Sequence, residues 1–248
     1  MRRILVLIAA LIMLVLPVLD AIVRIGLTQA QFAEQGNETL RAAGYAFTIW
    51  SVIYVWIAAY AVYQVWPRTP ETPLLRTLGW ASVVGMTATG LWIPAAAFNW
   101  RWATVGLISL AALSIVGGLV SSNLAAAGRK ERGLVLWPLG LLGGWLTIAT
   151  ALNLLTVMTA EGIITPDMQA GWALAGIGVV LLVGMAVTFR TELAAYPLPI
   201  VWGLVAVYVA MSADQEPTLA AAALIAAVVL AAFAGWVVWR SRREPRPA

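Results

Sequence analysis

The chain has 248 residues, 62% of them hydrophobic and only 10% charged, with a net charge of +4 and a mean hydropathy of +0.90. A soluble domain carries roughly 25% charged residues, so an ordinary soluble globular protein, a disordered chain and a nucleic-acid binder are all excluded. With no Cys and no His, disulfides, thiol chemistry, the usual zinc ligands, a haem-ligating imidazole and a general base near neutral pH are excluded as well.

A bilayer core of about 30 Å takes roughly 20 apolar residues per helix. In chain order, runs of that kind fall at 4–25, 43–66, 78–98, 102–126, 134–158, 168–189, 197–213 and 218–239. The expected fold is all-α, a polytopic membrane helix bundle of about eight transmembrane helices. The first run follows Arg2-Arg3 and so also reads as a signal peptide, with Leu19-Asp20-Ala21 as a poor cleavage site. Its apolar stretch continues to Ile25, longer than a signal core, which favours retention. Asp20 and Arg24 stand at i, i+4 and are expected to pair on one helix face near the outer boundary. The seventh run is short and opens with Pro197 and Pro199, so a tilted or incomplete span is expected there. Connections carry the usual breakers, among them Pro67 to Pro70, Gly128-Arg-Lys130, Thr165-Pro166-Asp167 and Gln215-Glu-Pro217. Glycines recurring within the spans, such as Gly85, Gly90, Gly118 and Gly144, argue close helix packing.

Charge orients this set. With a cytoplasmic N-terminus, Arg2, Arg3, Arg68, Arg76, Arg129, Lys130, Arg132, Arg190, Arg240, Arg242, Arg243 and Arg246 lie inside, and only Arg24, Arg41 and Arg101 lie outside. The outer loops carry Glu34, Glu38, Glu161, Asp167, Asp214 and Glu216. Both termini are expected in the cytoplasm, and the location expected is a bacterial inner membrane.

Tryptophan is the compositional outlier, at 13 residues. Interfacial anchoring accounts for Trp66, Trp80, Trp137, Trp202, Trp236 and Trp239 at the inner boundary and Trp100, Trp102 and Trp172 at the outer. Trp50, Trp56, Trp92 and Trp145 fall within spans. A rise of about 1.5 Å per residue puts Trp50 at ~10 Å, Trp92 at ~9 Å, Tyr54 at ~16 Å, Trp145 at ~20 Å and Asn153 at ~8 Å below the outer boundary, with Asn99 at the rim. Three spans thus place rings and amides in the outer half of the membrane. Two readings follow: interhelical glue, in which polar side chains satisfy one another, or the aromatic wall of a pocket for a flat apolar ligand.

Particular motifs carry a resemblance. Gly44-Tyr45-Ala-Phe47-Thr-Ile-Trp50-Ser-Val-Ile-Tyr54, Asn99-Trp-Arg-Trp102, and Trp145-Leu-Thr-Ile-Ala149-Thr-Ala-Leu-Asn153 preceded by Pro138 resemble, in order, the second-, third- and fifth-helix signatures of the TspO/MBR family, the tryptophan-rich sensory proteins related to the translocator protein. The double Pro before the family's glycine is replaced by Ala42 and Ala43. No Tyr followed by a basic residue comes after Asn153, so the sterol-recognition pattern of the animal proteins is absent. The resemblance implies a five-helix bundle over 1–158, with 159–248 as a three-helix membrane extension ending in a basic cytoplasmic tail. It also implies a porphyrin-type pocket, with Tyr45, Trp50, Tyr54, Trp92, Asn99, Trp102, Trp145 and Asn153 as the candidate ligand-binding residues. Without His or Cys, a metal-free ring stacked on indoles suits the chain better than haem, and Arg41 or Arg101 at the outer rim could meet a propionate.

The function expected is an integral membrane sensory or regulatory protein that binds a tetrapyrrole-like or other flat apolar ligand. The alternative is a small-molecule membrane transporter, whose marks would be mid-membrane charges or broken helices in both halves. A purely structural membrane subunit stays open as a further reading. No paired carboxylates or nucleophile motif support an enzyme, although photochemistry borrowed from a pigment would need none. No cofactor is required and no catalytic or metal-binding residue is expected. The partners expected are the lipid bilayer and a small apolar tetrapyrrole-like ligand, not nucleic acid, with a homodimer left open.

Overall fold

The structure, a computed structural model, describes residues 1–243 and is all-α among them. Eight long helices stand where the eight apolar runs lie: α1 (Arg2–Val23), α3 (Ile49–Val65), α4 (Pro73–Ala97), α5 (Arg101–Ser121), α7 (Trp137–Ala160), α8 (Gln169–Thr191), α9 (Pro197–Ala213) and α10 (Pro217–Arg243). Two short pieces complete the set, α2 (Gln29–Glu34) and the single turn α6 (Arg129–Glu131). Six segments are long and apolar enough to cross a membrane by themselves. Of the remaining two, α4 is long but diluted with Ser, Thr and Gly on a heavily buried inner face, and α9 has 17 residues. Both are interior helices that need less lipid-facing apolar surface.

Packing places α7 at the centre, against α3, α5, α8 and α9, while α4 lies between α1 and α5 and α10 closes over α8 and α9. One apolar core runs through all of them. α1 belongs to it through Val6, Ala9, Ala10 and Met13. α7 is entered through a π turn, Arg132–Leu136, in which the Trp137 N–H bonds back to the Arg132 carbonyl. Pro138 follows and has no N–H for the Leu134 carbonyl, a recurrent cause of such a bulge.

The helices alternate in direction, and polar contacts mark two faces. On the α2 face, Leu27 N–H donates to the Ala97 carbonyl, Thr39 bonds Thr159, Gln35 donates to Asn99, Arg101 pairs with Glu161, and Arg41 pairs with Asp214. On the face holding the N-terminus, Arg2 and Arg3 pair with Glu71, Thr72 donates to Glu131, and Arg240 pairs with Glu192. Gly26 makes the first approach possible: it has φ +77°, and a Cβ there would stand 2.1 Å from the Ala97 carbonyl oxygen.

Three expectations are corrected. Asp20 and Arg24 form no ion pair among the described residues, because the helix ends at Val23 and Arg24 turns into the left-handed region (φ 54°), off the helical face that i, i+4 pairing requires. Trp202 is not an inner-boundary anchor. Tyr196, just ahead of α9, lies against Gly144, where a Cβ would be 1.9 Å from its carbonyl oxygen. That level is about 24 Å from the α2-face end of α7 at 1.5 Å per residue, so α9 starts inside the bundle and Trp202 reaches the α2 half. Finally, the second run opens not as α-helix but as a 3-10 turn, Gly44–Thr48. Arg246 lies outside the described residues.

Candidate functional site

A cavity of about 220 Å³ lies between α2, the 3-10 turn and the α2-face halves of α3, α4, α5 and α7. Its lining runs along α7 from Trp145 to Thr156, twelve residues or about 16 Å of helix. Spacing along α7 explains the shape. Trp145, Ala149, Leu152, Asn153 and Thr156 recur at three- and four-residue intervals on one stripe, and the small Ala149 leaves the space that the neighbouring rings surround.

Four of those rings were expected. Trp50 stacks on Tyr54 one turn later in α3, with centroids 5.2 Å apart, and stands edge-on to Trp145 at 6.0 Å. Phe47 meets Trp145 edge-on at 6.4 Å. Trp92 closes the α4 side and packs edge-on against Phe32 of α2 at 5.8 Å. Edge-to-face and offset contacts at these distances are the favoured aromatic geometries, so the walls hold one another in place.

The polar groups divide into two sets. Trp92 donates its indole N–H to Asn153 Oδ1 at 3.1 Å, and Asn153 donates from Nδ2 to Thr104 Oγ1 at 3.1 Å. Thr104 in turn donates to the Arg101 carbonyl at 2.6 Å. This chain ties α4, α7 and α5 together and is interhelical glue. The indole N–H groups of Trp50 and Trp145 and the hydroxyl of Tyr54 bond no other described residue, and all three side chains line the cavity.

Trp50, Tyr54, Trp92, Trp145 and Asn153 are thus brought together; Tyr45, Asn99 and Trp102 are not. Tyr45 packs edge-on against Trp202 of α9 at 5.2 Å. Asn99 takes a left-handed conformation (φ 54°) in the α4–α5 turn and accepts from Gln35. Trp102 faces outward, 52% exposed. α2 lies outside every apolar run of the sequence and is an unexpected element of the site. Phe32 is buried beneath it, and Gln29, Ala33 and Glu34 cover the cavity. A signal was present, since Thr28 and Gln31 form a reciprocal capping box.

At the rim, Arg41 lines the cavity and donates through Nε to Asp214 at 2.6 Å and through Nη2 to the other carboxylate oxygen. This hydrogen bonding holds the Asp214 carboxyl below its ordinary range and raises Arg41 further; burial opposes both shifts more weakly. Arg101 is engaged by Gln35, the Ala160 carbonyl and Glu161 and stays off the cavity. The segment carrying Arg41 is pinned from behind, where Ala43 N–H donates to the Ala206 carbonyl and Trp202 Nε1 to the Ala46 carbonyl at 3.1 Å.

A second cavity, about 400 Å³, opens on the opposite face beside the inset start of α9 and is lined by Ser121, Ser122, Asn123, Arg132, Arg190 and Glu192 among others. It has no aromatic wall. The non-helical backbone ahead of α9 is tolerated at that depth because Ala195 and Tyr196 are buried in protein. Among the described residues no group of three or more carboxylates could hold a metal ion.

Residues 3–236 match the family model described as TSPO-like protein. No curated protein and no solved structure matches the chain.

Proposed function

Because the chain belongs to the TSPO-like protein family, we propose that it is an integral membrane receptor or regulator whose aromatic cavity takes a flat, largely apolar ligand of the tetrapyrrole class. The observation that carries this reading is the convergence of Trp50, Tyr54, Trp92 and Trp145 from three helices around one cavity; the polar groups of Trp50, Tyr54 and Trp145 bond no other described residue. Indole and phenol faces supply stacking surface, and a few donors fix orientation.

Size adds a condition. Small-molecule pockets run roughly 300–1,000 Å³, and this one is about 220 Å³. A tetrapyrrole therefore enters with α2 lifted, or with one ring edge at the mouth. The cover is suited to that, being a six-residue helix held by Phe32 on Trp92 and by few polar contacts.

The floor favours reception over passage. One turn deeper than Tyr54, Thr89 and Trp145 lie Ile57, Met86 and Leu142, each with no exposed surface. Apolar side chains at this level of three helices lie between the cavity and the deeper buried cluster of Tyr60, Gln64 and Ser82. The reading is non-enzymatic and requires no cofactor. The clustering of Arg2, Arg3, Arg68, Arg76, Arg129, Lys130 and Arg132 near the N-terminal face supports a cytoplasmic position for both termini in a bacterial inner membrane.

Titration of the purified chain with protoporphyrin, following Trp quenching and pigment absorbance together, tests the proposal. Saturable quenching with a matching absorbance shift is expected. A linear, non-saturating response refutes it.

A further inference from the structure

Arg41 is the one cation among the described residues that line the aromatic cavity, and its partner comes from outside it. Asp214 sits in the turn between α9 and α10 and clasps the guanidinium with both carboxylate oxygens. The acid within the lining, Glu34, makes no ion pair among the described residues. The pair is rim-exposed, at 31% and 35% for the two side chains, where making or breaking an ion pair changes equilibria only a few-fold.

We propose that Arg41 is the carboxylate-recognition group of this cavity and that Asp214 is an internal carboxylate holding its place: a flat ligand bearing a carboxylate exchanges with Asp214 on the same guanidinium and frees the α9–α10 turn from the cavity rim. The inference rests on the ligand-binding reading above and names the ligand class more narrowly, as an apolar ring system with an anionic edge. The guanidinium fork accepts a carboxylate through two parallel N–H donors, so exchange preserves both charge-assisted hydrogen bonds and is nearly balanced. Stacking on Trp50 and Trp145 then decides it. The wall itself stays in place, because the Ala43–Ala206 and Trp202–Ala46 bonds do not involve Asp214. What moves is the turn, which turns cavity occupancy into a change at the α9–α10 hairpin.

The test uses the full chain with protoporphyrin IX as free acid and as dimethyl ester, each titrated against wild type, Asp214→Asn and Arg41→Gln. Asp214→Asn removes the internal competitor, so it tightens the free acid about fivefold, the worth of one partly exposed ion pair, and leaves the ester unchanged. Arg41→Gln abolishes that distinction. Since the chain has no Cys, spin labels at Glu38→Cys and Glu216→Cys report the turn directly, and their separation shifts with the acid and not with the ester. If Asp214→Asn weakens acid and ester alike, or changes neither, Asp214 is a structural brace and the exchange is overturned while the ligand reading stands. An unchanged label separation at saturating acid overturns the release. Binding of neither form by the wild-type chain overturns the ligand reading and the exchange with it.

Discussion

Asn153 offers the sharpest separation of packing from recognition. It is 6% exposed, accepts from Trp92 and donates to Thr104, so Asn153→Leu preserves bulk and deletes both bonds. Interhelical hydrogen bonds in membranes average about 0.6 kcal/mol, and leaving the Trp92 N–H without an acceptor adds about 1 kcal/mol or more. Thr104 still donates to the Arg101 carbonyl, so its loss is the smaller one. The sum is about 2 kcal/mol of stability, expected equally with and without protoporphyrin. Trp92→Phe removes the donor and leaves the amide oxygen unpaired, at about 1 kcal/mol. In the double variant neither orphan exists, so its cost should fall about 2 kcal/mol short of the sum. Denaturant unfolding in detergent micelles reads all four corners of the cycle. Additive costs, or an Asn153→Leu chain of normal stability that has lost only affinity, would refute the bridging role.

Three further outcomes follow from the same geometry. Trp50→Phe and Trp145→Phe each weaken protoporphyrin by about 0.5–1.5 kcal/mol, roughly two- to tenfold, while Trp66→Phe and Trp236→Phe, both on outward-facing rings, leave its quenching titration unchanged. Because Asp214 is held below its ordinary range by Arg41, the stability that the pair contributes is complete above that range and disappears as pH falls through the lowered value; thermal unfolding of wild type and Asp214→Asn should therefore differ by a constant amount from neutral pH down to about 4 and converge below it. Reporter fusions after Lys130 and at the C-terminus should read cytoplasmic and one near Asp167 external, with the opposite reading at Asp167 overturning the orientation.

The long helices were legible because apolar length is a direct consequence of bilayer thickness, and that signal survives without any knowledge of neighbours. Depth was legible too, which is why Trp50, Tyr54, Trp92, Trp145 and Asn153 are found together. Azimuth was not. Tyr45 has the right depth, but its 3-10 turn aims it at Trp202, and Trp102 lies on the outward face of α5. Asn99 stands in a turn whose left-handed conformation no apolar pattern announces. α2 escaped because six residues bury too little to leave a periodicity, and only its capping box showed in the sequence. The inset start of α9 was hinted at by Pro197 and Pro199, yet its depth depends on Tyr196 seating against Gly144, a contact between distant parts of the chain.

The interhelical glue is present in the Trp92–Asn153–Thr104 chain, and an aromatic-lined cavity lies beside it with other polar groups of the same aromatic set. In hydrocarbon an unpaired donor costs more than in water, so a bundle has reason to satisfy every one it can. Here Asn153 satisfies Trp92, and Tyr60, deeper in α3, bonds Ser82 and accepts from Gln64. Trp50, Tyr54 and Trp145 have no such partner among the described residues, as the buried Thr188 hydroxyl of α8 has none, but these three line one cavity. Under the proposed function, a ligand in that space would accept from these three donors. Such a ligand, with acceptors toward α3 and α7 and an anionic edge toward Arg41, would engage the cavity's free donors and its one cation together.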